Sequence, residues 1–175
     1  GADGDVRLLV LDVTDEASVQ AAARQVAAEG GLDVLVNNAG VAGAHRAVMD
    51  VTADDLEQVH AVNVLGPVRA THAFLPLLRR STHPRVVNVA SGLGSQTVVR
   101  DPERVESSVR DVAYTSSKSA LVMVTTQYAA ALPDVKVNAV DPGYTATDLN
   151  AHSGPQSVQE GVRAIVAAAK IGRAH

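Results

Sequence analysis

Apolar residues in this chain fall into two patterns, short unbroken runs and longer stretches with helical spacing, and the two alternate. Val6-Arg7-Leu8-Leu9-Val10-Leu11 reads as a buried strand ending at Asp12. Thr14 can cap the helix that follows, with Asp15 and Glu16 in its positive first turn. Val19, Ala22, Ala23 and Val26 recur at helical spacing until Gly30-Gly31 stops the run. Asp33-Val34-Leu35-Val36 is a second strand opening into Asn37-Asn38-Ala39-Gly40. Thr52 caps a long helix continuing to Arg80, with Leu56, Val59, Asn63, Gly66 and Ala70 on one face. Residues 85–90 form a third strand, broken by Ser91-Gly92-Leu93-Gly94. The polar stretch 95–110, with its Asp101-Pro102 turn signal, reads as a surface loop. Residues 111–132 are helical and end at Pro133. A fourth strand at 135–140, a loop at Pro142-Gly143 and a last helix at about 157–169 complete the pattern.

Strands alternating with helices predict an α/β fold, a parallel sheet with helices on both faces. Ligands in such sheets bind beyond the carboxyl ends of the strands. Asp12, the 37–40 segment, Ser91 and the 141–147 loop each follow a predicted strand, so four polar clusters fall on one rim.

Composition narrows the function. At 175 residues the chain suits one domain. Acidic and basic residues are scattered without a basic stripe and aromatics make up only 2%, which argues against nucleic-acid binding. No apolar run approaches the roughly 18 residues of a membrane span. Position 1 is Gly, so neither an initiator Met nor a signal peptide is visible. The absence of cysteine removes disulfides and thiolate chemistry, and fits a cytoplasmic protein. The six histidines show no ligand spacing, so no metal is expected.

Tyr114 and Lys118 lie four apart on one predicted helix and project to the same side. Free tyrosine, with a pKa of about 10, is a poor base at neutral pH. A nearby ammonium favours the phenolate, and Ser91 on the same rim could bond the same substrate oxygen. Tyr and Lys at this spacing are also a common surface pair, so the pair alone does not decide. Asn63 interrupts an apolar stripe; it is either satisfied by backbone across a bend near Gly66-Pro67 or holds a water. Asn37-Asn38-Ala39-Gly40 and Pro142-Gly143 admit close backbone approach, as ordinary turns also do. Asp54-Asp55 is explained by a helix dipole, and 101–104 by a solvated turn.

Taken together, six segments from about Arg7 to Ala169 resemble the short-chain dehydrogenase/reductase family. They are Leu11-Asp12-Val13, Asn37-Asn38-Ala39-Gly40, Asn63-Val64-Leu65-Gly66, Ser91-Gly92-Leu93-Gly94, Tyr114-Thr115-Ser116-Ser117-Lys118 and Pro142-Gly143-Tyr144-Thr145-Ala146-Thr147. The resemblance implies a Rossmann-type doubly wound sheet and hydride exchange between NAD(P)(H) and a carbonyl or alcohol. By resemblance, Tyr114 is the acid or base, Lys118 lowers its pKa and holds the nicotinamide ribose, Ser91 steadies the substrate oxygen, and Asn63 anchors a proton-relay water. Asp12 and Val13 would flank the adenine; Asn37, Ala39 and Gly40 the adenosine side; and Pro142, Gly143 and Thr147 the nicotinamide.

Departures from the family pattern stand out at both ends and in the middle of the chain. No strand and glycine-rich turn for a pyrophosphate precede Arg7, and the C-terminus stops early, at Ile171-Gly172-Arg173-Ala174-His175. The expectation is a partial dinucleotide-binding domain over residues 1–175, truncated at its front and by itself inactive, with the strand at 6–11 weakly held for want of its neighbours. The Ser91-to-Tyr114 gap is longer than usual and resembles the carbonyl-reductase-like members, favouring carbonyl reduction and NADP over NAD. The implied partner is a small-molecule carbonyl or alcohol. Helices around Asn63 and Tyr114 form subunit contacts in many members, so a homo-oligomer is a further expectation, unless the 95–110 segment covers one of those contacts. Two other readings stay open. A non-catalytic binding or regulatory module would not need Ser91, Tyr114 and Lys118 together, and a nucleotide-sugar epimerase or dehydratase would need a larger C-terminal domain.

Overall fold

The computed structural model describes residues 5–170; Ile171 to His175, where an early stop was read, lie outside them. Helix α1 (Glu16–Ala28) starts at Asp15, whose carboxylate accepts the N–H groups of Ala17 and Ser18. Thr14, the expected cap, instead donates to Asp12 through both its N–H and its hydroxyl. The chain leaves α1 through Gly30 and Gly31, at φ of 124° and 115°, backbone that residues with a Cβ rarely adopt. Three parallel strands follow in sheet order: β1 (Val34–Asn37), β2 (Arg85–Val89) and β3 (Lys136–Val140). Val34 pairs with Arg85, and Arg85 with Lys136.

The β1-to-β2 crossover is one long interrupted helix. Thr52 and Asp55 form a reciprocal capping box at its start, as the sequence predicts for Thr52. Helix α2 (Ala53–His60) passes into a wider π-helical turn at Ala61–Leu65 and then into α3 (Gly66–Leu78). The β2-to-β3 crossover carries a short helix, α4 (Gln96–Arg100), and the long helix α5 (Val112–Ala131). The stretch 95–110 is therefore not a plain loop: the Ser95 side chain caps α4, and residues Val105–Ser108 form a 3₁₀ turn.

Leu35, Val86 and Val137 point to one side of the sheet and pack with Leu75 and Leu78 of α3 and Tyr128 of α5. Val19, Ala22 and Ala23 of α1 pack in turn on Ala70, Phe74 and Leu77 of α3. The other side of β2 and β3 is covered by α6 (Val158–Lys170). A buried polar chain crosses the side facing α3 and α5: Asn37 Nδ2 donates to Asn88 Oδ1 at 2.8 Å, and Asn88 Nδ2 to Thr125 Oγ1 at 2.8 Å.

The expected strand at residues 6–11 does not form. Leu8 is 94% exposed, and among the described residues β1 has no partner strand on its outer edge. An apolar run becomes a strand only where a ladder and a face receive it. No ladder is on hand, and of this run Leu9 packs partly on the cluster between α1 and α3.

Candidate active site

The carboxyl ends of β1, β2 and β3 open into the 38–41, 91–95 and 141–147 loops. The ladder runs one step beyond β2, since Ala90 N–H donates to the Val140 carbonyl. Ser91 then caps the 3₁₀ turn Gly92–Gly94, its Oγ accepting from Leu93 N–H at 3.2 Å. Gly94 lies against the backbone of α5, where Ser119 Oγ donates to its carbonyl at 2.7 Å. The Asp111 carboxylate caps α5 by accepting Tyr114 N–H at 2.8 Å, which fixes the turn carrying Tyr114.

Within that frame Ser91, Tyr114 and Lys118 come together. Lys118 is 5% exposed; its Nζ donates to the Val89 carbonyl at 2.9 Å and lies 5.5 Å from the centroid of the Tyr114 ring. Burial pushes the Tyr114 phenol above its ordinary pKa; hydrogen bonding with the Ser91 side chain pulls it back, and Asp141 and Asp111 push it up. Burial is the largest of these influences. The phenol keeps its proton at neutral pH, in the form able to donate.

Asn63 occupies the π-helical turn and is 1% exposed. Its Oδ1 accepts Val41 N–H at 2.9 Å, and its Nδ2 donates to the Val41 carbonyl at 2.9 Å and to Ser117 Oγ at 3.0 Å. Of the two sequence alternatives, backbone satisfaction is the one seen, through the distant 38–41 loop. The amide thereby ties that loop to α5 one residue from Lys118. A Cβ on Gly40 would sit 3.5 Å from Asn63 Oδ1 and 3.7 Å from Lys118 Nζ, so its absence keeps the space above both polar groups open.

The remaining expected residues lie further along the rim. Asp12 holds Thr14 with its carboxylate, and Val13 packs on Gly66. The Asn37 side chain turns inward to Asn88, leaving its backbone and that of Ala39 and Gly40 as the exposed surface. Gly143 holds φ at 76°, and Thr147 starts a 3₁₀ turn in a capping box with Asn150. Sequence reasoning missed Ser117, the Val41 and Val89 backbone, and Asp141. Only Asp141 carried a signal: a carboxylate at a strand end two residues before a glycine. Among the described residues no His, Asp and Glu cluster is placed to hold a metal ion.

The buried ammonium gives a pH signature. Burial lowers the Lys118 pKa from 10.5 to about 8, partly offset by Asp141. Between those values the unfolded chain keeps a proton that the folded chain has released. Lys118 therefore makes the fold gain stability as pH rises from about 8 to 10.5, and its burial opposes folding in full below that window. Relative to the parent, Lys118→Met is expected to melt highest at around pH 7, with the gap narrowing toward about pH 10. Thermal unfolding of both proteins across this range checks it, and a constant gap would mean that Lys118 titrates normally.

Comparison with known proteins identifies the family. Residues 2–157 match the family model for short chain dehydrogenase. The chain is 33% identical to (+)-neomenthol dehydrogenase of Arabidopsis thaliana, over 86% of its own length and 68% of the relative's. It is 32% identical to (−)-isopiperitenone reductase of Mentha piperita, over 86% of its own length and 70% of the relative's. Among solved structures it superimposes on an NADPH-bound carbonyl reductase from chicken fatty liver with a TM-score of 0.80 and 25% identity, covering 95% of this chain and 70% of that one. Salutaridine reductase of Papaver somniferum gives a TM-score of 0.76 at 27% identity, covering 92% and 76%. The chain belongs to the short-chain dehydrogenase family of oxidoreductases, and within it resembles the carbonyl reductases.

Proposed function

We propose that the chain carries the catalytic part of an NAD(P)(H)-dependent reductase of small carbonyl compounds, with Tyr114 as the acid that protonates the nascent alkoxide. The observation that carries this reading is the meeting of a protonated, buried phenol with Ser91 and with the Lys118 ammonium. When bound, the nicotinamide supplies the hydride for reduction or takes it up for oxidation. Ser91 and Tyr114 offer two hydroxyls to one substrate oxygen and polarise it. Lys118, held by the Val89 carbonyl, keeps positive charge beside the phenol as its proton leaves, and offers a donor to a ribose hydroxyl. Asn63 holds the 38–41 loop in place, leaving Gly40 as an open backbone surface for the cofactor.

The residues present fit the nicotinamide and ribose end of such a cofactor: glycines at 40, 92 and 143 stand just past three strand ends, and Gly40 leaves the Asn63 amide and the Lys118 ammonium uncovered by a side chain of its own. Residues 1–175 form a single partial NAD(P)-binding unit in this reading. Asp12 and Val13 serve the adenine end, the backbone of Asn37, Ala39 and Gly40 the adenosine side, and Pro142, Gly143 and Thr147 the nicotinamide. NADP is the favoured cofactor, in keeping with the NADPH bound to the similar chicken carbonyl reductase. Among the described residues no helix is long and apolar enough to cross a membrane, and a cytoplasmic setting suits the cysteine-free composition. The exposed Val122 and Met123 of α5 suit contact with a second copy.

The test is direct. The product of the complete reading frame is expected to oxidise NADPH in the presence of aldehydes and ketones, followed by loss of nicotinamide absorbance. Residues 1–175 alone are expected to bind NADPH or NADH only weakly, because backbone N–H groups that would cradle a pyrophosphate are not among those described. Saturable binding to residues 1–175 at about micromolar cofactor, with turnover, would contradict the second expectation. No turnover by the complete product across a broad carbonyl and alcohol panel would contradict the first.

A further inference from the structure

Asp141 follows β3 directly, and its two carboxylate oxygens serve two different loops. Oδ1 accepts Gly143 N–H at 2.9 Å, closing its own turn. Oδ2 accepts Gly92 N–H at 2.9 Å, reaching across to the loop after β2. The first loop carries Pro142 and Gly143; the second carries Ser91. One side chain thus spans the cleft between the substrate-oxygen side and the nicotinamide side. Gly92 leaves it room, since a Cβ there would lie 3.0 Å from Asp141 Oδ2 and 3.2 Å from Glu106 Oε1.

We propose that Asp141 is a positioning residue of the reductase site, a two-oxygen bridge that sets the spacing between the Ser91 loop and the Pro142-Gly143 loop and places its negative charge beside Tyr114 and Lys118. The inference rests on the reductase reading for what the spacing is used for, but not for the bridge itself. A carboxylate suits the role because it accepts on both arms. An amide would turn an NH₂ toward one of the two N–H donors and lose that arm. The charge also acts on the site: Asp141 raises the pKa of Tyr114 and opposes the lowering of Lys118. The other charged groups near by are Asp111 at the start of α5, with His45 at 4.0 Å from it, and the Arg104–Glu106 ion pair at 2.9 Å.

Asp141→Asn and Asp141→Glu test the proposal in residues 1–175 with no cofactor present. The tyrosines are labelled with ¹³C at Cζ and titrated by NMR, with Tyr114→Phe used to assign the signal. Asp141→Asn is expected to lower the Tyr114 midpoint by about half a unit or more while Tyr128 stays put. Asp141→Glu, which keeps the charge, is expected to hold the Tyr114 midpoint near the parent's and serves also if the Asn variant folds poorly. In the complete product, Asp141→Asn is expected to cut kcat about tenfold and Asp141→Glu to restore part of it. A Tyr114 midpoint unmoved by Asp141→Asn, a shift shared equally by Tyr128, or a Glu variant that titrates like Asn would overturn the proposal. None of these outcomes depends on turnover, so the bridge can fail while the reductase reading stands.

Discussion

Replacing Tyr114 by Phe is expected to lower kcat of the complete product by about 10³-fold or more while leaving NADPH affinity within about twofold. The substitution removes one hydroxyl and nothing else. The ring stays in its place on α5, the Lys118 ammonium keeps its aromatic neighbour, and the helix keeps its Asp111 cap. What disappears is the proton donor and one of the two hydroxyls facing the substrate oxygen. Burial holds that phenol in its protonated form, the form able to donate. Steady-state rates with the best carbonyl substrate, alongside nicotinamide fluorescence titration, separate the two effects. Turnover within about tenfold of the parent would place the acid elsewhere.

Gly94→Ala is expected to damage the fold and the site together. A Cβ at this position would lie 2.7 Å from the Lys118 carbonyl carbon, 2.8 Å from its oxygen and 2.9 Å from Ser119 N. All three are backbone atoms of α5, so no flexible side chain can swing away. Either the turn Gly92–Gly94 lifts off α5, carrying Ser91 from Tyr114, or α5 shifts and moves Lys118. A loss of about 2–3 kcal/mol in urea unfolding is expected, together with near-complete loss of turnover. Gly40→Ala is the control, since its Cβ would meet only ordinary contacts at 3.5 and 3.7 Å and should leave the unfolding midpoint unchanged. If Gly94→Ala unfolds at the parent's midpoint, the close seat of that turn on α5 is not a constraint.

The sequence was most legible where local chemistry decides. Thr52 with Asp55 is a complete capping signal, and the runs at 34–37, 85–89 and 136–140 are strands because each is flanked by turns and finds a partner. Tyr114 and Lys118 were visible for a related reason: four residues on a helix fixes a common side whatever surrounds it. What failed depended on distant residues. The run at 6–11 has the composition of a strand but no ladder to join. Asn63 stayed ambiguous because its partners, Val41 and Ser117, lie 22 and 54 residues away. The upward pull on Tyr114 was hidden because desolvation depends on packing and not on spacing. At 14–15 two good capping residues stand side by side, and pattern alone does not choose between them; the acceptor of Ala17 N–H and Ser18 N–H proved to be Asp15.

The π-helical turn at Ala61–Leu65 has a bearing on how this chain tolerates change in length. Such a turn amounts to one surplus residue spelled into an otherwise regular helix. Gly66 N–H reaches back five residues to the Ala61 carbonyl, and the Arg69 guanidinium also donates to that carbonyl. Remove a single residue from this stretch and the helix could close into ordinary α geometry with Val59 before it and Ala70 after it still facing inward. Only the sideways aim of Asn63 would be lost. Elsewhere in the same helix a one-residue deletion would swing every later side chain by about 100° and empty the core. The helix thus carries its own slack, gathered at the residue that reaches the 38–41 loop, so length variation and site integrity are decided at the same place.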